Sequence, residues 1–224
     1  MNRAWRNPLS LVAVAVLVAG CALPKRSSVP LPASAPGSVD GLAAAIQADS
    51  QRSDHESDAK VRTQLADEAN SYADACMAQA PQAAACLYGR GVALGLQARA
   101  HPTRAVELLK SMLEALNSAD AADPSYDQAG PSRVRALVLI RAPGWPLGPG
   151  DPDAGLDSAR RAVKLRADYP PNLLALAEAL DKTGDTNGAR ETYARARDAA
   201  NALPPTSEDR AGWLREADQG LGKR

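Results

Sequence analysis

Apolar residues in this chain fall at helical spacing. Leu173, Leu176, Ala177 and Leu180 stand at i, i+3, i+4 and i+7, and Val39, Leu42, Ala43 and Ile46 repeat that pattern near the other end. Val106, Leu109, Leu113 and Leu116 form a third stripe. Proline, glycine and capping residues divide the pattern into segments. Ser38 opens a short helix, and the capping box Ser53-Asp54-His55-Glu56 opens a longer one that ends near Gln79, before Pro81. Further helices are predicted over 83–99, 103–118, 132–142, 153–166, 171–183, 186–202 and 207–221, the last as a solvating cap. Gly184 takes the left-handed position in the turn between two of them.

The helices also repeat. Gly155, Ala159 and Ala162 return as Ala189, Tyr193 and Ala196, a period of 34 with small or aromatic residues at fixed places. This resembles the tetratricopeptide repeat, a helical hairpin that stacks on copies of itself. The expected fold is therefore all-α, a TPR-like helical-hairpin repeat array (an α-solenoid) over residues 39–224, with a Pro/Gly-rich insertion at 142–152. Composition agrees, because a chain with no Phe builds its core from Ala, Leu and Val, which suits close helix packing.

The first 21 residues change the picture by adding an address. Arg3 and Arg6 precede the apolar run Leu9 to Ala19, and Val18-Ala19-Gly20-Cys21 follows. That run is too short to span a bilayer, which takes about 20 apolar residues, and it reads as a signal peptide over 1–20. Cysteine at the cleavage point resembles the lipobox of bacterial lipoproteins, which implies palmitate-type acylation of Cys21. Several acyl chains give stable anchoring where one is marginal. Residues 21–38 then form a Pro-rich tether, and Ala22 implies the outer membrane, facing the periplasm. Loss of Arg3 and Arg6 with the leader leaves a slight acidic excess, so no nucleic-acid partner is expected.

Candidate chemistry is sparse. Cys76 and Cys86 flank Pro81, and an even pair in an exported protein predicts a disulfide, with reduced buried thiols as the alternative. His55, in the first turn of a helix, and His101, beside Pro102, have no partner at metal-ligand or triad spacing. The run Gly89-Arg90-Gly91 to Gly95 lacks the strand that a dinucleotide fingerprint needs, and close helix packing explains its small residues. Asp185-Thr186-Asn187-Gly188 is too short for a calcium loop. No enzyme activity, cofactor or metal is expected.

One segment carries a more specific likeness. Asp123-Pro124-Ser125-Tyr126, Ala129-Gly130-Pro131-Ser132-Arg133, Ala142-Pro143-Gly144, Gly150-Asp151-Pro152 and Ala159-Arg160-Arg161-Ala162 together resemble the T-component family of TRAP transporters. The resemblance covers about a third of the chain. It implies an exported, lipid-anchored repeat protein that forms homo-oligomers and associates with the periplasmic substrate-binding protein of a carboxylate transporter. The alternative is a general envelope scaffold holding a peptide or protein partner in its repeat groove.

The repeat register places a candidate binding groove on the first helices of each hairpin. Leu174, Glu178, Asp181 and Lys182 are expected to project from it, with Arg90, Leu94, Gln97, Arg133, Leu137, Ile140 and Arg141 at upstream places. The loop Ala142-Pro143-Gly144-Trp145-Pro146-Leu147-Gly148-Pro149-Gly150 is expected to be stiff, since three prolines restrict it. Trp145 and Leu147 in it are recognition residues in one reading. In the other, Trp145 folds back as a packing plug.

Overall fold

A computed structural model describes residues 30–32 and 35–222. The leader, Cys21 and most of the tether lie outside these residues. Within them the chain is all-α: α1 Val39–His55, α2 Ala59–Gln79, α3 Ala84–Ala100, α4 Ala105–Ala122, α5 Tyr126–Arg141, α6 Pro152–Leu165, α7 Pro170–Lys182, α8 Thr186–Asn201 and α9 Arg210–Gly222. No helix among the described residues is long and apolar enough to cross a membrane.

Side-chain caps set four of the starts. Ser38 accepts from Gly41 N–H (3.1 Å), Asp58 from Lys60 (2.8 Å), Asp151 from Ala154 (3.0 Å) and Asp185 from Gly188 (2.9 Å). Pro152 and Pro170 occupy first-turn positions, where a missing N–H costs nothing. Gly184, at φ +91°, ends α7 as expected, and Asp185 N–H donates back to the Leu180 carbonyl at 2.9 Å. Several boundaries differ from the sequence expectation: α4 runs on to Ala122, α5 is entered at Tyr126 through a left-handed turn, α9 begins at Arg210, and the first two helices meet at a different place. The first helix runs through Ser53 to His55, and Asp58 caps the second. Ser53 is instead buried inside α1, accepting from Arg99 of α3, and His55 lies in a last turn.

Each helix packs on the next, and α1, α3, α5 and α7 also pack on one another in series, as does α9 on α7. The odd-numbered helices thus form an inner row, with α2, α4, α6 and α8 laid over it. Small residues make this closeness possible: a Cβ on Gly91 would lie 3.0 Å from Leu116 of α4, and one on Gly155 only 2.5 Å from Ile140. The core has two main bodies, one around Ile46, Ala69, Tyr88, Ala93 and Leu116, the other around Ile140, Leu156, Leu173, Ala177 and Tyr193. A smaller cluster joins Leu42 to Cys76 and Cys86, which form a disulfide across the α2–α3 turn with a Cα separation of 5.2 Å.

Candidate functional site

The loop between α5 and α6 is folded on itself. Gly150 N–H donates to the Pro143 carbonyl (2.8 Å), Leu147 and Gly148 N–H to the Gly144 carbonyl (3.0 and 3.1 Å), and Asp151 N–H to Leu139 (2.9 Å). Its glycines are there for backbone contact: a Cβ on Gly148 would meet the Pro143 carbonyl oxygen at 2.5 Å, and one on Gly150 would collide with the Ala142 carbonyl. With the backbone so closed, the bulky side chains are turned outward. Trp145 is 91% exposed and Leu147 73%. The plug reading therefore fails, since a side chain this exposed covers no gap. The loop thus holds two large apolar groups in water on a braced backbone.

Beside the loop, Arg141 at the end of α5 makes a two-toothed bond to Glu178 of α7, Nε to Oε1 at 2.8 Å and Nη2 to Oε2 at 2.6 Å. Tyr193 lies buried nearby. Burial first, and then the Glu178, Asp181 and Glu216 carboxylates, push its phenol up to about 12. Asp181 and Lys182 are exposed.

Other expected groove residues sit elsewhere. Leu174 is 3% exposed and Ile140 is buried, both inside the second core, and Leu137 packs partly buried against it. The expectation that Leu174 and Ile140 project toward a ligand is corrected. The cause is that α7 is wrapped by α5, α6, α8 and α9, so nearly its whole circumference is core. Leu94 is likewise buried in the first core, while Arg90 bonds Asp74 and, at 3.1 Å, Asn70 of α2. Arg90 and Leu94 line a depression between α2, α3 and α4 that contains none of the carboxyl-terminal set. One groove joining Arg90 to Glu178 is not what the structure builds.

Arg133 has a different place again, at the junction of the two cores. Asp127, Gln128 and Ala129 all adopt left-handed backbone, with φ of 47°, 55° and 64°. Each such non-glycine residue costs about 1–2 kcal/mol. The turn is held from within the fold: Arg133 Nη1 donates to the Asp127 and Gln128 carbonyls (3.1 and 3.3 Å) and to Asn172 Oδ1 (3.2 Å), and Nη2 to the Asp127 carboxylate (2.8 Å). Tyr88 Oη donates to the same carboxylate at 2.8 Å, and Asn172 Nδ2 donates to the Gln128 carbonyl at 2.9 Å. Tyr88 is buried, and burial pushes its phenol well above the usual tyrosine value. Four aromatics gather here. Tyr126 meets Tyr88 edge-on at 5.5 Å, Trp213 meets Tyr169 at 5.7 Å, and the Arg133 guanidinium lies 5.3 Å over Tyr169. Every one of these polar groups is used in holding the turn, so the cluster acts as a keystone tying α3, α5 and α7.

Sequence reasoning missed Tyr88, Asp127 and Asn172 in this role. The only signal was Gly130-Pro131, where a Cβ on Gly130 would lie 2.7 Å from Asp127 Oδ2. Among the described residues no cluster of His, Cys, Asp or Glu could hold a metal ion. No protein-family model matches the chain, and no curated protein is similar to it.

Proposed function

We propose that this chain is a non-enzymatic, lipid-anchored binding protein of the bacterial envelope, built as a TPR-like array, and the auxiliary T-component of a TRAP-type uptake system. Its partner is then the periplasmic substrate-binding protein. The observation that carries the binding role is the outward pair Trp145 and Leu147 on a hydrogen-bonded loop. Tryptophan gives large contact area at little entropic cost, because its rigid ring and braced backbone have little freedom left to lose. The Arg141–Glu178 pair supplies a polar rim beside it. The transport assignment is supported by the Asp123 to Ala196 resemblance, and the anchor by the lipobox-like Val18-Ala19-Gly20-Cys21.

The test places a photo-crosslinking residue at Leu147 in the full-length protein and irradiates intact cells. A crosslink to a substrate-binding protein, abolished by Trp145→Ala, is the expected result. Trp145→Ala should leave thermal stability within about 0.5 kcal/mol, as for other surface changes. Partner capture unaffected by Trp145→Ala and Leu147→Ala together would overturn the loop as the docking element.

A further inference from the structure

The depression between α2, α3 and α4 is a groove of about 680 Å³. Its lining recurs with helical period on all three walls: Asp67, Asn70, Asp74 and Met77 on α2, Leu87, Arg90, Leu94 and Gln97 on α3, Leu108, Ser111, Ala115 and Ser118 on α4. Steps of three and four on each helix mean that the groove runs along the helix axes. Ten residues at 1.5 Å give it a length of about 15 Å, roughly three turns of helix. It exists because α2 and α4 both pack on α3 and not on each other.

Its floor and walls differ in character. Met77, Leu87 and Ala115, partly exposed over the buried Leu94 and Leu108, form a narrow apolar floor, whereas Asp67, Asp74, Glu107 and Glu114 stand along both sides. Two guanidinium groups reach the groove, and both are engaged: Arg90 by Asp74 and Asn70, Arg104 by Glu107 at 3.6 Å. Asp67 accepts from Gln97 at 2.8 Å, which leaves its charge uncompensated, and Glu114 forms no ion pair among the described residues. Carboxylates are in excess around a trough with a narrow apolar floor.

We infer that this groove docks a basic amphipathic helix of a partner protein, three to four turns long, with its apolar face on Met77, Leu87 and Ala115 and its Lys or Arg residues against Asp67, Glu107 and Glu114. An apolar trough parallel to two helices accepts the ridge of a third. The acidic flanks select the sign of its charge. A strand fails the first condition and an acidic segment fails the second. This inference is independent of the Trp145 loop, which lies on the other half of the molecule.

The probe is a fluorescent 15-residue peptide with Leu at helical spacing and Lys elsewhere, compared with the same Leu pattern carrying Glu. Both are titrated onto the full chain by fluorescence anisotropy. The Lys peptide should bind at least about 10-fold tighter than the Glu peptide and gain helical circular dichroism on binding, weakening with salt as charge steering does. Glu107→Lys with Glu114→Lys, both exposed, should weaken it by about 10-fold, whereas Glu208→Lys with Asp209→Lys, a separate acidic pair, should change it less than about 2-fold. Ser111→Trp, which fills the groove without altering charge, should also abolish binding. Equal loss from the Glu208/Asp209 reversal, preference for the Glu peptide, binding without helix formation, or indifference to Ser111→Trp each overturns the inference. So does concentration-dependent self-association abolished by Ser111→Trp, because the occupant is then a second copy.

Discussion

Among the described residues, Asp49 of α1 is the one buried side chain with an oxygen that lacks a hydrogen-bond partner: its side chain is 6% exposed, and the atom is Oδ2. Oδ1 accepts from Arg52 at 3.3 Å, but Arg52 is largely in solvent and screens weakly. Burial first, then the Glu68 carboxylate, raise its pKa from 3.8 to about 6. Folding therefore takes up a proton between these values. The stabilisation that this proton brings is complete below about pH 4 and gone above about pH 6, at a cost of about 3 kcal/mol for a shift of this size. Asn at this position is neutral at every pH and keeps an oxygen for Arg52. Asp49→Asn should therefore stabilise by about 1–2 kcal/mol near pH 8, some of the full amount being lost with the weaker Arg52 contact, and by nothing near pH 4.

The assay is thermal unfolding followed by far-ultraviolet circular dichroism at half-unit steps from about pH 4 to pH 8. For a domain of this length, 1 kcal/mol moves Tm by about 2–4 °C, so the two curves should coincide in acid and separate by about 3–6 °C in base. Parallel curves at all pH values would refute the reasoning, because the effect would then be packing and not charge. A variant less stable near pH 8 would refute it too, showing that the ionised carboxylate has an unseen favourable partner.

Arg133→Ala should cost about 3–5 kcal/mol in urea unfolding, since it strips the supports from the left-handed turn, and Arg133→Lys should recover little because a single ammonium lacks the planar fork. Gln128→Gly, at φ 55°, should stabilise by about 0.5 kcal/mol in the same assay, the relieved backbone being offset in part by loss of the exposed bond that Gln128 Oε1 accepts from Arg166 at 3.2 Å. Reduction of Cys76–Cys86 should lower stability by about 2–3 kcal/mol for so short a loop, and mass measurement should show neither thiol alkylated until reductant is added.

What the sequence made legible was local. Gly184 and Asp185 mark the α7–α8 turn by their own backbone preferences, and Cys76 and Cys86 face each other because a proline sits between two helices. What it left hidden depends on neighbours distant in the chain. Ser53 looked like a helix cap because its local pattern is that of one, yet Arg99 of α3 uses its hydroxyl and α1 continues. The left-handed turn at Asp127 carries no glycine at its three strained positions, so only Arg133, Tyr88 and Asn172 together, from three helices, account for it. Leu174 was misplaced by the assumption that a repeat helix keeps one free face, which α7 does not.

The α5–α6 loop shows the limit most clearly. Three prolines make it stiff in either reading, and an apolar ring serves equally well as a plug or as a knob, so composition alone leaves the choice open. The deciding features are Gly148 and Gly150, whose missing side chains let the strand returning to α6 lie against Pro143 and Ala142. Once the loop closes on its own backbone, the space over the end of α5 is taken by main chain. Trp145 then has only solvent to face, and that exposure is what the proposed docking role rests on.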